Sequence, residues 1–166
     1  SLRFGVPAEA AVRSNAQLLE AVRLAFPEDY IVYKPHPDVV AGLRHGGPDE
    51  DLCAASADAV LSHGDMAQLL TAVDQVHVLT SLSGFEALLR KVPVQVYGLP
   101  FYAGWGLSDD VLRCPRRGRT LQLDELVYGA LIDYPSYLCQ RSGGLISPEQ
   151  ALVQLLALKQ QGPPRL

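Results

Sequence analysis

Hydrophobic and polar positions along the chain switch between the spacing of helices and the spacing of short strands. Ser14 opens the first helical pattern, with Gln17 as its capping-box partner, and Pro27 ends it. Further apolar stripes predict helices at residues 65–73, 82–89, 124–132 and from 147 onward. Short runs rich in β-branched and aromatic residues predict strands at residues 30–33, 59–61, 76–79 and 94–97.

This alternation of strands and helices predicts an α/β fold, in which right-handed βαβ units build a parallel sheet flanked by helices. Ligands of such sheets bind beyond the carboxyl ends of the strands. Two loops at that position carry candidate chemistry, residues 34–38 and residues 80–84. Residues 42–50 are predicted to be a polar surface loop, and beyond Gly106 the strand signal fades into an arginine-rich loop.

The composition bounds the class of protein. The length of 166 residues predicts one domain over residues 1–166, with the C-terminal helices from about residue 122 packed on the sheet. Hydrophobic residues form 48% of the chain, which is enough for a packed core, and the net charge of −4 argues against a nucleic-acid binder. No apolar run is long enough to span a membrane, and three cysteines without a CxxC pair suit a reducing cytoplasm.

The first candidate loop holds His36 between two prolines. Pro35 and Pro37 fix the backbone on both sides, so the loop is predicted to be extended and the imidazole to point in one direction. A histidine can bind phosphate, and the ammonium of Lys34 suits the same group. The alternative is a rigid turn that carries an exposed histidine.

The second candidate loop is a serine-rich turn between a strand and a helix. A helix N-terminus favours phosphate, Ser81 and Ser83 add hydroxyl donors, and Gly84 allows a ligand to approach the backbone. The alternative is a capping box in which Ser83 and Glu86 only satisfy the end of the helix.

For three other groups of residues, the sequence either leaves two interpretations open or indicates no chemistry. Tyr102 and Trp105 either form a wall that faces a sugar or base, or are buried to hold a long loop in place. The arginines beyond Gly106 are either solvated or contact an anionic ligand; they are Arg113, Arg116, Arg117 and Arg119. His45, His63 and His77 share no metal-ligand spacing, and no acid can be tied to His36, so no catalytic residue is assigned.

Several long phrases of the sequence resemble bacterial capsule polysaccharide biosynthesis proteins, and more narrowly the β-Kdo transferases that build the oligo-Kdo linker of capsules. These phrases are KPHPDV, TSLSGFEALLR, VYGLPFYAGWGL, LDELVYGALIDYPSY and the closing SPEQ helix. The resemblance implies one Rossmann-like lobe of a GT-B-type glycosyltransferase, with CMP-Kdo as the donor and no metal or other cofactor. It also implies a cytoplasmic protein, with peripheral association at the inner face of the inner membrane as an option.

The resemblance assigns binding roles residue by residue. It places His36 and Lys34 at the CMP phosphate, with Pro37 completing the His-Pro motif. Ser81, Ser83 and Gly84 would hold phosphate or ribose at the helix end. Glu86 would reach the ribose or cap the helix.

The resemblance also implies parts outside these 166 residues. A strand and an acidic loop are expected before Ser1, and a second, N-terminal lobe is expected to carry the catalytic carboxylate. We therefore expect the isolated chain to be inactive as a transferase, with a sheet edge that invites dimerisation. The expected acceptor is an anionic glycolipid.

Two other functions remain open from the sequence. One is a non-catalytic binding or assembly module of capsule production and export, whose basic loop contacts a glycolipid or a partner protein. The other is a different nucleotide-sugar enzyme with a similar lobe, such as a sialyltransferase or an epimerase. Affinity for CMP, compared with UDP and GDP, would distinguish these functions.

Overall fold

The computed structural model of the protein describes residues 12–40 and 47–161. The chain divides into two compact units, one ending at Leu121 and the other beginning at Gln122. The prediction that the helices from about residue 122 pack on the sheet of a single domain stays a prediction.

The N-terminal unit contains helices and short strands in alternation. Its helices are α1 (Asn15–Ala25), α2 (Pro37–Val40), α3 (Gly47–Ser56), α4 (Met66–Leu69) and α5 (Leu82–Leu89). Its strands are β1 (Val32–Tyr33), β2 (Ala59–Val60), β3 (Val76–Val78), β4 (Val94–Val96) and β5 (Asp109–Asp110). β1 pairs with β2, and β3, β4 and β5 form a second sheet in that order. Every one of these pairings is parallel, so the predicted α/β fold with parallel strands is confirmed.

Helix α1 joins the two sheets of this unit. Ser14 is its N-cap, with the hydroxyl accepting a hydrogen bond from the Gln17 backbone N–H at 3.3 Å. Leu19 and Val22 lie on its buried face and pack in one core cluster, whose other buried members are Ile31, Cys53 and Tyr97. Since Ile31 precedes β1 and Tyr97 follows β4, this cluster draws on both sheets.

Among the described residues, no strand pairing joins the two sheets of this unit. In the described ranges, β1 pairs with β2 alone and β3 with β4 alone. A doubly wound sheet places a central strand between its two halves. The second edges of β1 and β3 are where such a strand would pair.

Several element boundaries differ from the sequence prediction. The strand predicted at residues 30–33 begins only at Val32, and the helix predicted at residues 65–73 is reduced to α4. The loop predicted to be extended at residues 34–38 turns into α2 at Pro37, because a proline is tolerated in the first turn of a helix.

Several elements were missed in the sequence; in the N-terminal unit they include α3 and β5, and in the C-terminal unit both strands of the hairpin. The described part of the predicted loop at residues 42–50 is the start of α3; residues 42–46 lie outside the described residues. Acidic residues in the first turn stabilise a helix because they interact favourably with its dipole, and α3 has Asp49 and Glu50 there. Strand β5 consists of two aspartates, a residue type that is depleted in strands.

The C-terminal unit combines helices with a hairpin. α6 (Leu123–Tyr128) continues into a single π-helical stretch (Gly129–Asp133), which together replace the helix predicted at residues 124–132. β6 (Tyr137–Leu138) and β7 (Leu145–Ile146) pair in antiparallel fashion, and α7 (Pro148–Gln161) follows. Ser147 and Gln150 exchange hydrogen bonds at the start of α7, so the predicted capping box is confirmed. Within the described residues, no helix is long and apolar enough to cross a membrane.

His77 in β3 is enclosed by aromatic residues. Its ring meets the edge of Phe26 at a centroid distance of 5.5 Å, and its Nδ1 lies 3.3 Å from the Tyr97 hydroxyl. Burial lowers the pKa of His77 to about 4. The folded state therefore binds a proton less readily than the unfolded state, in which histidine titrates near pH 6.5.

We expect this burial to make the protein sensitive to acid. Stability from neutral His77 is fully present above about pH 6.5 and is lost as the pH falls toward 4, because the unfolded chain is protonated first. Urea unfolding should show that the free energy of unfolding falls by about 2 kcal/mol between pH 7.5 and pH 5. A His77→Gln variant should not show this decrease. An identical pH dependence in the variant would contradict this assignment.

Candidate functional site

The His36 loop is anchored by the residue that precedes the histidine. Pro35 is buried, whereas His36 is exposed. The Asp38 backbone N–H donates to His36 Nδ1 at 3.2 Å, and an Asp38 carboxylate oxygen lies 3.5 Å from the same nitrogen. In neutral His36 the proton therefore lies on Nε2, which can donate to a ligand. The turn and the exposed imidazole agree with the alternative interpretation of the sequence, and binding of a phosphate by His36 stays a prediction.

Lys34 follows β1 directly and is half-buried. Its Nζ contacts the Leu61 carbonyl at 3.5 Å, a long hydrogen bond that leaves most of its donor capacity unused. Pro37 begins α2, so its role in the structure is to start a helical turn after His36. A direct role of either residue in ligand binding stays a prediction.

The serine-rich turn begins α5 two residues earlier than the predicted capping box. Ser81 is the N-cap, and its hydroxyl accepts from the Ser83 backbone N–H at 3.2 Å and bonds the Ser83 hydroxyl at 3.0 Å. The interpretation of Ser83 and Glu86 as a capping box is therefore wrong. With the Ser81 hydroxyl donating to it, the Ser83 hydroxyl can donate its own hydrogen to a ligand.

Glu86 has no capping role in this turn. Its backbone carbonyl accepts from Arg90 at 2.9 Å, but its carboxylate makes no hydrogen bond or ion pair with any described residue. Since the side chain is half-buried one turn into α5, its carboxylate remains available to accept from a hydroxyl group. The expectation that Glu86 reaches a ribose stays a prediction.

Gly84 is required by Tyr102. A Cβ at position 84 would lie 2.8 Å from Cζ and 3.0 Å from Cε2 of the tyrosine ring, closer than side chains tolerate. The close approach that this glycine allows is therefore an aromatic contact within the protein. Approach of a ligand to the Gly84 backbone stays a prediction.

Tyr102 ties the glycine-rich loop to the serine turn. The side chain is fully buried, and its hydroxyl donates to the Ser81 carbonyl. Burial raises the pKa of Tyr102 well above its ordinary value, so the hydroxyl stays protonated as a donor. Phe85 and Phe101 complete the cluster at a centroid distance of 5.0 Å from each other. The interpretation of Tyr102 as a wall facing the ligand is wrong, and the interpretation as a buried anchor is confirmed.

Arg117 also binds the glycine-rich loop. Its Nη1 donates to the Pro100 carbonyl at 2.5 Å and to the Ala103 carbonyl at 2.7 Å, and its guanidinium lies 5.6 Å from the centre of the Trp105 ring. Trp105 Nε1 donates to the Phe101 carbonyl at 2.8 Å. Arg117 is thus a structural residue. The other arginines of this loop are exposed, without a hydrogen-bond or ion-pair partner in the described residues; they are Arg113, Arg116 and Arg119.

Asp49 occupies the N-terminus of α1, a feature that sequence reasoning missed. Its carboxylate accepts from the Ser14 hydroxyl at 3.0 Å and from the Ala16 backbone N–H at 3.5 Å. Next to it, the Tyr33 hydroxyl donates to the Glu50 carboxylate at 2.9 Å. An internal carboxylate therefore takes the position where a helix N-terminus would attract an external anion. The N-terminus of α5 has no such internal anion among the described residues.

The predicted residues form two groups at carboxyl ends of parallel strands. Lys34 and His36 follow β1, and the Ser81–Ser83 turn follows β3. No described hydrogen bond connects the two groups. Parallel strands flanked by helices, with polar loops at the strand ends, define a Rossmann-like lobe of the GT-B type, as found in the similar solved structures.

The chain belongs to the capsule polysaccharide biosynthesis protein family, because the model of that family matches residues 1–143. This assignment confirms the family suggested by the motifs of the sequence.

Two solved structures from Thermosulfurimonas dismutans are similar to the chain. The first is KpsC, beta Kdo 2,7 transferase, at 43% sequence identity and a TM-score of 0.77, covering 89% of this chain and 47% of that one. The second is KpsC, beta Kdo 2,4 transferase, at 28% identity and a TM-score of 0.73, covering 87% of this chain and 46% of that one.

Two curated relatives are similar over almost the whole chain. The capsule polysaccharide modification protein LipA of Neisseria meningitidis serogroup A is 46% identical over 159 residues, which are 96% of this chain and 22% of LipA. The lipopolysaccharide-processing protein LpsZ of Rhizobium meliloti is 40% identical over 156 residues, which are 94% of this chain and 35% of LpsZ. The chain thus spans about a fifth to a third of these relatives.

The contact between Gly84 and Tyr102 should be sensitive to one added methyl group. We expect Gly84→Ala to destabilise the protein by about 1–3 kcal/mol, because the tyrosine ring must move. Urea unfolding measures the loss, and Gly118→Ala serves as control, because no atom lies within 4 Å of the added Cβ there. Equal stability of the two variants would show that Tyr102 adapts without cost.

Proposed function

We propose that the chain is the CMP-Kdo-binding lobe of a glycosyltransferase that acts in capsule polysaccharide synthesis. The single observation that carries this proposal is the Ser81–Ser83 turn at the N-terminus of α5, which no carboxylate of a described residue caps. Membership of the capsule family and similarity to the structures of two Kdo transferases support the choice of donor.

The phosphate of the donor binds at the start of α5. Free backbone N–H groups and the helix dipole favour an anion there, and the Ser83 hydroxyl adds a donor. The N-terminus of α1 does not compete for the phosphate, because Asp49 already satisfies it.

The His36 loop and Glu86 bind the same nucleotide. Nε2 of His36 donates to a phosphate oxygen, and the ammonium of Lys34 contributes a positive charge. The carboxylate of Glu86 accepts hydrogen bonds from the ribose hydroxyls. In this assignment four of the predicted binding residues contact the nucleotide, while Ser81 caps α5 and Pro37 and Gly84 shape the backbone beside them.

The rest of a longer protein completes the enzyme in this proposal. A second, N-terminal lobe closes the cleft and carries the catalytic carboxylate, and a further strand pairs between β1 and β3. An anionic glycolipid acceptor approaches the exposed arginines, Arg113, Arg116 and Arg119. The protein is cytoplasmic and acts at the inner face of the inner membrane. If no further strand is supplied, the open sheet edges lead to dimerisation.

A non-catalytic assembly module is the second candidate function. The three exposed arginines without partners favour it, because a basic surface can bind a glycolipid or an acidic protein without any nucleotide. A module of this kind does not need to bind CMP. Affinity for CMP therefore distinguishes the donor lobe from the assembly module.

The chain should bind CMP more tightly than UDP or GDP in a calorimetric titration. We expect His36→Ala and Ser83→Ala each to weaken CMP binding by about tenfold, the size of one charge-assisted hydrogen bond. Ser136→Ala, which changes an exposed serine of the C-terminal unit, should leave the affinity unchanged. Equal affinity for the three nucleotides would favour a different nucleotide-sugar enzyme, and no binding by folded protein would favour the assembly module.

The chain alone should not transfer Kdo from CMP-Kdo to a glycolipid acceptor. In GT-B-type enzymes the reaction takes place in a cleft between two lobes, and the chain supplies one lobe in this proposal. Mass spectrometry of the acceptor after incubation detects any product. Transfer by the chain alone would refute the assignment of the catalytic carboxylate to another lobe.

A further inference from the structure

A small cavity lies at the carboxyl ends of β1 and β2, beside the His36 loop. Its lining includes Lys34, which follows β1, and Leu61, which follows β2. The segment from the next loop into helix α4 supplies the rest of the lining, which is His63, Gly64, Asp65, Gln68 and Leu69. The location is the one at which parallel sheets bind ligands, and neither the serine turn nor His36 belongs to its lining.

The size and walls of the cavity suit one flat ring. Its volume is about 150 Å³, similar to that of a cavity known to bind benzene. Leu61 and Leu69 supply apolar side chains, and the polar residues supply groups for the edge of a ring. Binding sites for small ligands commonly combine apolar walls with a few polar groups that fix orientation.

The charges in the cavity favour a neutral group. Lys34 brings a positive charge and Asp65 a negative one, so an anionic phosphate or carboxylate would meet attraction and repulsion together. Of the parts of a CMP-linked sugar acid, the phosphate and the sugar carboxylate are anionic, whereas the base is flat and neutral. The base therefore matches the cavity better than either anionic part.

The polar groups of the cavity are available for such a ring. One Asp65 oxygen accepts from the Ala67 backbone N–H at 2.9 Å as the N-cap of α4, and the second oxygen has no described partner. The side chains of His63 and Gln68 make no hydrogen bond with any described residue. The site thus offers one free carboxylate acceptor and several donors.

We propose that this cavity binds the pyrimidine base of the nucleotide and that Asp65 selects cytosine over uracil. Cytosine presents an amino group, which donates to the free Asp65 oxygen, whereas uracil presents a carbonyl oxygen at that position. Gln68 donates to a remaining ring acceptor, and the Lys34 ammonium stays with the phosphate. This inference rests on the proposed nucleotide-binding function and assigns the base specificity of the same site.

The base and the phosphate then have adjacent positions on the protein. Lys34 borders the cavity, and His36 follows two residues later, so the chain between them spans at most about 7 Å. A nucleotide whose base lies in the cavity therefore carries its phosphate toward the His36 loop.

Selectivity between CMP and UMP tests the role of Asp65. The Asp65→Asn variant keeps the helix cap, because asparagine is an equally good N-cap, but adds an amide donor that suits uracil. We expect the ratio of CMP affinity to UMP affinity to fall by about tenfold in this variant. Asp74→Asn, which changes an exposed aspartate outside the cavity, should leave the ratio unchanged.

Methyl NMR spectra test the position of the base independently. CMP should shift the methyl signals of Leu61 and Leu69 through its ring current, and ribose 5-phosphate, which lacks a base, should not. An unchanged CMP-to-UMP ratio in Asp65→Asn, or equal methyl shifts with ribose 5-phosphate, would refute the inference while leaving the proposed function intact. If no nucleotide binds the wild-type chain, both the proposed function and this inference fail.

Discussion

The apolar face of α1 is the constraint on which the N-terminal unit depends. Its strands are only two or three residues long, and hydrogen bonds join them into two separate sheets. Such short ladders supply little stability by themselves. Leu19 and Val22 pack in a cluster that takes residues from both sheets, so burial of this helix face keeps the sheets in one unit. The loops at the strand ends inherit their positions from this packing.

The contact of Tyr102 with the serine turn fixes one loop of the candidate site. Tyr102 is buried against Gly84 and donates to the Ser81 carbonyl, while Arg117 binds two carbonyls of the loop that carries the tyrosine. The serine turn is therefore fixed by a segment about 20 residues later in the chain. A turn held in this way can present its hydroxyl groups in one arrangement before any ligand arrives, which lowers the entropy cost of binding.

Elements with strong local signals could be predicted from the sequence. Helix α1 has a serine cap, apolar residues at helical spacing and a terminating proline, and the capping box of α7 is equally local. Strand β5 could not be predicted, because its two aspartates take part in pairing only through the neighbouring strand β4. Helix α3 was missed because its start carries glycine, proline and acids, which also mark loops.

The sequence could nominate residues for the candidate site, but it could not give the contacts of those residues. Residue types at the strand ends pointed to Lys34, His36 and the serines, since the chemistry of a site depends on local sequence. The buried state of Tyr102 and the cavity beside Lys34 depend on distant segments that meet only in the folded chain. The same residue types could have faced solvent in another fold, so sequence alone left these alternatives open.

The carboxylate of Asp49 makes the start of α1 independent of any bound anion. In many anion-binding proteins the helix that receives the ligand is also the one whose terminal donors lack partners without it. Here the helix that joins the sheets has its donors satisfied by the protein itself, through Ser14 and Ala16. The start of this helix therefore needs no bound anion to satisfy these donors, so the packing that joins the two sheets does not depend on a ligand at this position.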